Sequence, residues 1–253
     1  MKNDISYILA KWPYDDGEGL QVRRIEGRDG TPKLQLRIDL GLMQMDTVGR
    51  PDGLRPHGHI SLLEYFRTQA DEYRRKHGWY EGFELDSDEC AALRQESLQY
   101  YHRRIACMAL QDFVAAADDA DHNLDILDLL KAFARSREDW LASEQYRPFI
   151  LSHRIQCLTL QHLAQDNVRA AVVEVERGIR RIREVFAEHD RLDEFDESPE
   201  LGVLEDLKRK LDARYQVGHR QRLQIMLDDA LRREDPDLAA DLRAQIRNLK
   251  VEE

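Results

Sequence analysis

Apolar and polar residues alternate along residues 34–42, near the amino-terminal end of the sequence. The apolar positions are Leu34, Leu36, Ile38, Leu40 and Leu42. A period of two residues predicts a half-buried β-strand. Residues 20–25 (LQVRRI) are a candidate partner strand, and the Asp-Gly pair at 29–30 is a favoured turn between the two. We expect a small antiparallel β-hairpin unit over residues 1–58, with a third strand from residues 5–12.

After residue 60 the apolar spacing becomes that of α-helices, so the protein is predicted to be mainly α. Ser61 with Glu64, and Asp86 with Glu89, have the spacing of a capping box, which marks a helix start. Helices are expected at about 61–77, 87–108, 112–134, 138–164 and 167–189. Pro148 should lie near a helix start or kink the fourth of these helices, because proline has no backbone N–H to donate.

Small residues recur seven positions apart in this helical region. Ala171 and Gly178 have this spacing, which lets two antiparallel helices approach closely. A weaker match begins at Asp112, with Asn123 where the second small residue should stand. The pattern resembles tetratricopeptide (TPR) repeats, so TPR-like helical hairpins are expected over residues 59–190, with ordinary helical hairpins as the alternative. Either arrangement presents a grooved surface suited to a partner.

An acidic segment follows the helical body. Residues 188–206 contain nine acidic side chains and a single basic one, Arg191. That imbalance predicts a solvated segment with little structure at its start. We expect an acidic linker over residues 191–218, with a short helix at 203–215 and a break at 217–218.

Residues 219–253 predict a helical hairpin. Its first apolar stripe is made by Leu223, Leu227, Ala230 and Leu231, and its second by Leu238, Leu242, Ile246 and Leu249. Asp235 can cap the second helix, with Pro236 at the first helical position, where no amide hydrogen is needed.

This hairpin resembles the UVR motif, the short interaction module of UvrB and UvrC. The matching residues are Ala230, Glu234, Ala239, Ala240, Leu242, Arg243 and Ile246. Pro236 and Ala244 stand where the motif usually has an aromatic residue and an Asp, which would weaken the hairpin or alter its choice of partner. The resemblance implies binding rather than catalysis, because the motif pairs with a like motif in excision-repair proteins. It also occurs in Clp ATPases and in activators of protein-arginine kinases.

The whole chain is similar to an uncharacterised group of bacterial UVR-motif proteins. The similarity lies in KLQLRIDLGLMQM at 33–45, GRPDG at 49–53 and SLLEY at 61–65. It implies no particular activity.

The candidate docking residues come from the two apolar stripes and the motif. The apolar ones are Leu223, Leu227, Leu238, Leu242 and Ile246, while Glu234 and Arg243 would set polarity and register at the rim. Some of these residues must face the hairpin's own interior. Their spacing does not show which ones do so and which ones face a partner. We expect a non-enzymatic adaptor or scaffold that binds another protein, such as a UVR-motif protein or a Clp-type ATPase. A coiled-coil tail packed on its own protein, or a homodimer formed through the hairpin, is the alternative.

Composition and charge narrow the class of protein. The 253 residues are 42% apolar and 34% charged, which excludes a disordered tail or a collagen-like fibre. The formal net charge of −11 disfavours broad binding of nucleic acid. Three cysteines without a CxxC pair argue against a disulfide framework or a zinc ribbon, and no apolar run approaches the ~18 residues of a membrane span. A soluble, cytoplasmic protein is expected.

No nucleotide-binding, hydrolase or zinc-protease motif occurs, so we expect no enzyme activity, no cofactor and no metal. His57 and His59 could share a metal but lack a spaced third ligand. Arg183 and His189 faintly resemble the pair of the helical HEPN ribonucleases. An accessory factor in DNA repair or RNA turnover is a second hypothesis. Its only candidate surfaces are the aromatic and basic residues 100–104 and the basic run 177–183, and a core–surface boundary is the favoured interpretation of 100–104.

Overall fold

The computed structural model describes residues 4–17, 19–232 and 236–249, and the protein is mainly α with one small antiparallel sheet. The chain divides into two compact units, residues 1–158 and 159–253, and each is considered by itself. The predicted boundaries at residues 58, 190 and 218 do not coincide with this division. The sheet lies in the first unit together with several helices.

The sheet has three strands in the order β1-β2-β3, all antiparallel. The strands are β1 (Gln21–Glu26), β2 (Pro32–Ile38) and β3 (Gly41–Asp46). The hairpin of β1 and β2 is confirmed, but the predicted third strand at residues 5–12 is wrong. That segment contains a short helix, α1 (Ser6–Leu9), and the third strand instead follows β2.

The nine-residue alternation at residues 34–42 does not form one strand. The chain turns at residues 39–40, which pairs Ile38 with Gly41. Ile38 and Leu40 are 40% and 87% exposed, so their apolar side chains do not belong to a buried face. The alternation predicted one strand because these two exposed residues continue the apolar pattern through the turn.

Both faces of β2 are covered. Leu34 and Leu36 belong to a buried cluster with residues of three helices of the first unit. Arg37 stands at a polar position of the alternating pattern, on the opposite face, and is nevertheless buried. Its guanidinium donates to the backbone carbonyls of Trp12 (2.9 Å) and Gly41 (2.7 Å), so the polar face of the strand is closed by the segment that precedes the sheet.

After the sheet, the described part of the first unit contains α2 (Leu62–His77), α3 (Ser87–Ala109), α4 (Phe113–Phe133), α5 (Arg137–Glu144) and the first part of α6 (Arg147–Ala164). The predicted helix at 138–164 is therefore two helices, and Pro148 lies in the first turn of the second. The capping box of Asp86 and Glu89 is confirmed. Ser61 caps α2, whereas Glu64 accepts from the backbone N–H of Ile60 rather than from that of Ser61.

One core cluster of the first unit joins α2, α3 and α4. Its buried members are Leu62, Leu63, Phe66, Leu85, Cys90, Leu93, Ile126, Leu129 and Leu130. Beside them lies Glu96 of α3, which is fully buried. Its carboxylate accepts from the first backbone N–H groups of α2, those of Leu62 (2.7 Å) and Leu63 (3.1 Å). A buried charge from α3 therefore satisfies the N-terminus of α2.

The second unit contains α7 (Val168–Glu188), a 3-10 helix (Leu192–Glu197), α8 (Pro199–Arg232) and α9 (Pro236–Asn248). The buried side of α7 carries Ala171 and Gly178 at the predicted spacing. The predicted acidic linker at residues 191–218 is wrong in one respect, because this segment is mostly helical. Phe195 and Leu204 are buried, and α8 continues through Gly218 without the expected break. None of the helices in the described ranges has the length and apolar character needed to cross a membrane.

Candidate functional site: the carboxy-terminal helical hairpin

The end of α8 and the whole of α9 pack together as a helical hairpin. Its interior consists of Leu223, Leu227, Ala230, Ala239 and Leu242, with Ile246 and Leu249 partly buried against them. Leu223, Leu227 and Leu242 are only 5%, 7% and 2% exposed. These three predicted docking residues therefore hold the two helices together and offer little surface to another molecule.

The other four predicted docking residues lie differently. Arg243 and Leu238 are exposed, Leu238 to 43%, and Ile246 is partly exposed. Glu234 lies outside the described residues, as does the expected helix cap Asp235. The predicted set thus mixes the interior of the hairpin with its surface.

A shallow groove of about 470 Å³ runs along the hairpin, and we call it the hairpin groove. Its apolar floor is formed by Leu227, Ile246 and Leu249, and its basic rim by Arg220, Arg243 and Arg247. Arg220 and Arg247 were missed by the sequence analysis. The sequence does not indicate them because they lie on different helices and come together only through the packing of those helices.

The basic rim is not neutralised within the described part of the chain. No ion pair joins any of the three rim arginines to a carboxylate in the described ranges. Two nearby carboxylates, Asp228 and Asp241, instead accept from glutamines on their own helices, at 3.1 and 2.7 Å. The groove therefore carries three arginines without a described ion pair, on a protein whose formal net charge is −11.

Three of the five aromatic and basic residues at positions 100–104 are buried. Tyr100, Arg103 and Arg104 are 5%, 6% and 1% exposed. Arg103 donates to both oxygens of Asp119, from Nε to Oδ2 at 3.0 Å and from Nη2 to Oδ1 at 2.7 Å. Tyr101 and His102 are half-buried, so the segment lies at the boundary between core and surface, as expected.

The second candidate surface, residues 177–183 of α7, is interleaved with acidic groups. Arg177 lies 3.8 Å from Glu174, and Arg181 lies 3.1 Å from Glu184 and 3.0 Å from Glu188. Exposed pairs of this kind offset the positive charge that a phosphate backbone would require.

The two candidate metal ligands, His57 and His59, each contact Tyr65 or Glu64. His57 stacks on Tyr65 with ring centroids 4.1 Å apart, and Nδ1 of His59 lies 3.6 Å from Glu64. The described ranges contain no group of three or more His, Cys, Asp or Glu that could hold a metal ion. Of the ribonuclease-like pair, Arg183 is exposed on α7 and His189 immediately follows that helix.

The structure is thus that of a mainly α protein with a carboxy-terminal helical hairpin, and the groove of this hairpin has a basic rim. No protein-family profile, curated protein or solved structure matches the chain.

Proposed function

We propose that this protein is a non-enzymatic adaptor whose carboxy-terminal hairpin binds another protein. The observation that carries the proposal is the hairpin groove, with its apolar floor and its three arginines that lack a described ion-pair partner. An amphipathic helix with acidic residues along one edge has the matching chemistry, because its apolar side fits the floor and its carboxylates reach the rim. The proposed occupant is such a helix in a partner protein.

The resemblance to the UVR motif supports the same occupant. A two-helix hairpin leaves part of its apolar surface in water, and here Ile246 and Leu249 remain partly exposed beside the buried interior. Pairing with a second hairpin would cover them. We propose a protein with a UVR-type hairpin, or a Clp-type ATPase, as the partner.

The candidate residues have two different roles in this proposal. Leu223, Leu227 and Leu242 act indirectly, because they fix the two helices that carry the rim and the floor. Arg243 and Ile246 would contact the partner itself. Charged rim residues of this kind set association rate and register more than total affinity.

The test reverses the charge of the rim. The double variant R243E/R247E is compared with R177E/R209E, which makes the same change in net charge at exposed positions outside the hairpin. Full-length proteins are used as bait for quantitative capture from native lysate, and a photo-crosslinking residue at position 246 identifies the segment of the partner in contact. We expect R243E/R247E to reduce partner recovery roughly tenfold, since two lost charge contacts of about 0.7 kcal/mol each multiply to that factor. The control should retain it.

Three results would contradict the proposal. One is equal loss of partners by the two variants. Another is a crosslinked segment that is neither acidic nor helical. The third is self-association, seen by sedimentation of the purified protein and abolished by R243E/R247E, which would make the hairpin a dimerisation element.

A further inference from the structure

A cavity of about 400 Å³ lies inside the helical bundle of the first unit, and we call it the bundle cavity. Its walls come from α3, α4, α5 and α6, between residues 94 and 150. Leu98 and Tyr146, which are 45% and 58% exposed, line its outer part, whereas Ile126 and Ile150 are buried at its inner part. Its volume lies within the ~300–1,000 Å³ range of small-molecule sites, and its wall is mainly apolar and aromatic.

Three polar side chains that line the bundle cavity have buried atoms without hydrogen-bond partners. Nε and Nη1 of Arg104, Oδ1 of Asn123 and Oγ of Ser143 are all in this condition within the described part of the protein. Arg104 and Asn123 are each 1% exposed, and Ser143 is 5% exposed. Buried polar groups are almost always satisfied in folded proteins, because leaving one without a partner costs the full penalty of removing it from water. Three such side chains around one cavity indicate that something else completes them.

The charges around Arg104 also indicate that a partner is missing. The adjacent Arg103 takes both oxygens of Asp119, which is the carboxylate that also attracts Arg104. The neighbouring thiol of Cys157 is neutral, because burial raises its pKa to about 11. Burial lowers the pKa of Arg104 to about 10, which still leaves the guanidinium charged at neutral pH. One buried positive charge therefore lacks a hydrogen-bonded counter-ion.

The immediate surroundings of the Arg104 guanidinium are aromatic. Its central carbon lies 5.4 Å from the ring centroid of Tyr101 and 5.9 Å from that of Phe149. Such rings stabilise a cation modestly without neutralising it. They also supply flat apolar surface beside the charge, where the body of a bound molecule would lie.

We propose that the bundle cavity binds a small organic monocarboxylate with an apolar body and at least one hydroxyl or N–H donor. The carboxylate accepts from Nε and Nη1 of Arg104, since the planar guanidinium matches two carboxylate oxygens. The donor of the ligand satisfies the amide oxygen of Asn123, and Ser143 can donate to the ligand. A monoanion is specified because only one buried charge is in excess. The second arginine of the lining, Arg94, already donates to the backbone carbonyl of Asp139 at 3.1 Å.

The experiment measures binding of defined probes to the full-length protein by ligand-observed NMR and by calorimetry. The probes are phenylacetate, mandelate, phenylpropionate and hexanoate, the primary amide of each, and inorganic phosphate. We expect carboxylates of the panel to bind, with mandelate the strongest because its hydroxyl adds the donor. Each amide should bind roughly tenfold or more weakly, since one lost charge-assisted hydrogen bond of about 1.4 kcal/mol gives that factor.

Two variants locate the site. R104M should abolish carboxylate binding and, without ligand, raise the Tm, because it removes an unsatisfied buried charge and keeps the volume. L98W places a large side chain at the exposed outer part of the cavity, where folding tolerates it, and should also block binding. R67M, at an exposed arginine on α2 outside the lining, is the control and should bind as the unaltered protein does.

The proposal would be overturned by absence of binding across the carboxylates, by amides that bind as tightly as their acids, or by phosphate that binds as tightly as mandelate. Undiminished binding to R104M or to L98W would overturn it as well. These outcomes are independent of the proposed adaptor function, because R243E/R247E alters no residue of the bundle cavity.

Discussion

Replacing Glu96 with glutamine tests the way the first unit is held together. The Glu96 side chain is fully buried, and Oε2 and Oε1 accept from the backbone N–H groups of Leu62 and Leu63 at 2.7 and 3.1 Å. Nε2 of His122 lies 3.2 Å from Oε1, and Nε of Arg50 lies 3.7 Å from Oε2. Glutamine keeps the shape of the side chain but has a single acceptor oxygen, so its NH2 group must face one of the two helix N–H groups.

The cost follows from the bonds that change. A hydrogen bond to a charged group contributes about 1.5–3 kcal/mol, and one of the two backbone bonds is lost outright. The remaining bond becomes a neutral one, and the favourable interaction of the negative charge with the N-terminus of α2, worth up to about 2 kcal/mol when partly buried, disappears. We expect E96Q to lower the free energy of unfolding by about 3 kcal/mol, a large fraction of the ~5–15 kcal/mol typical of a folded protein.

The assay is urea unfolding followed by tryptophan fluorescence, because Trp12, Trp79 and Trp140 all lie in the first unit. The matched control is E89Q, which makes the same chemical change at the exposed capping box of α3. We expect E89Q to cost only about 0.5–1 kcal/mol. A cost for E96Q no larger than that of E89Q would refute the argument that a buried charge stabilises the start of α2.

Three further outcomes are expected. R103M should cost about 4 kcal/mol in urea unfolding because it leaves buried Asp119 without its hydrogen-bonded partner, and D119L added to R103M should restore part of that loss. Burial lowers the pKa of His153 to about 4 in the folded protein. As the pH falls, this histidine is therefore protonated in the unfolded chain before it is protonated in the folded protein. Its contribution to stability is complete above pH ~6.5 and declines by up to about 3 kcal/mol as the pH falls towards 4, a slope that H153Q should flatten in unfolding curves across that range. L242A should cost about 2–5 kcal/mol within the hairpin and reduce hydrogen-exchange protection in α9, and unchanged protection would contradict the assigned interior.

The elements that depend on neighbouring residues were predictable from the sequence. The start of α3 at the Asp86 capping box, the end of α2 before Gly78 and the hairpin of β1 and β2 all rest on contacts within a few residues. Local hydrogen bonds and turn preferences act over that distance, so the sequence alone specifies them.

The features that depend on distant packing were not predictable. Arg37 occupies a polar position of an alternating strand, and its burial depends on a segment that precedes the sheet. Gly218 looked like a helix break, but a glycine costs only about 1 kcal/mol in a helix, and α8 extends over 34 residues. In the hairpin, interior and rim positions share one helical spacing. The assignment of Leu242 to the interior and Arg243 to the rim therefore came only from the packing of α8 on α9.

Arg104 differs from the other buried charged residues of the first unit in its lack of described hydrogen-bond partners. Each of the others has described partners: Arg37 on backbone carbonyls, Glu96 on backbone N–H groups, Arg103 on Asp119, and Arg147 on both oxygens of Glu144. A sequence that satisfies its buried charges this consistently does not leave one unsatisfied through loose packing, since the penalty is several kcal/mol per ion. Arg104 differs from them in one structural respect, because it lines a cavity. The missing partner of Arg104 is therefore best sought in the molecule that enters that cavity.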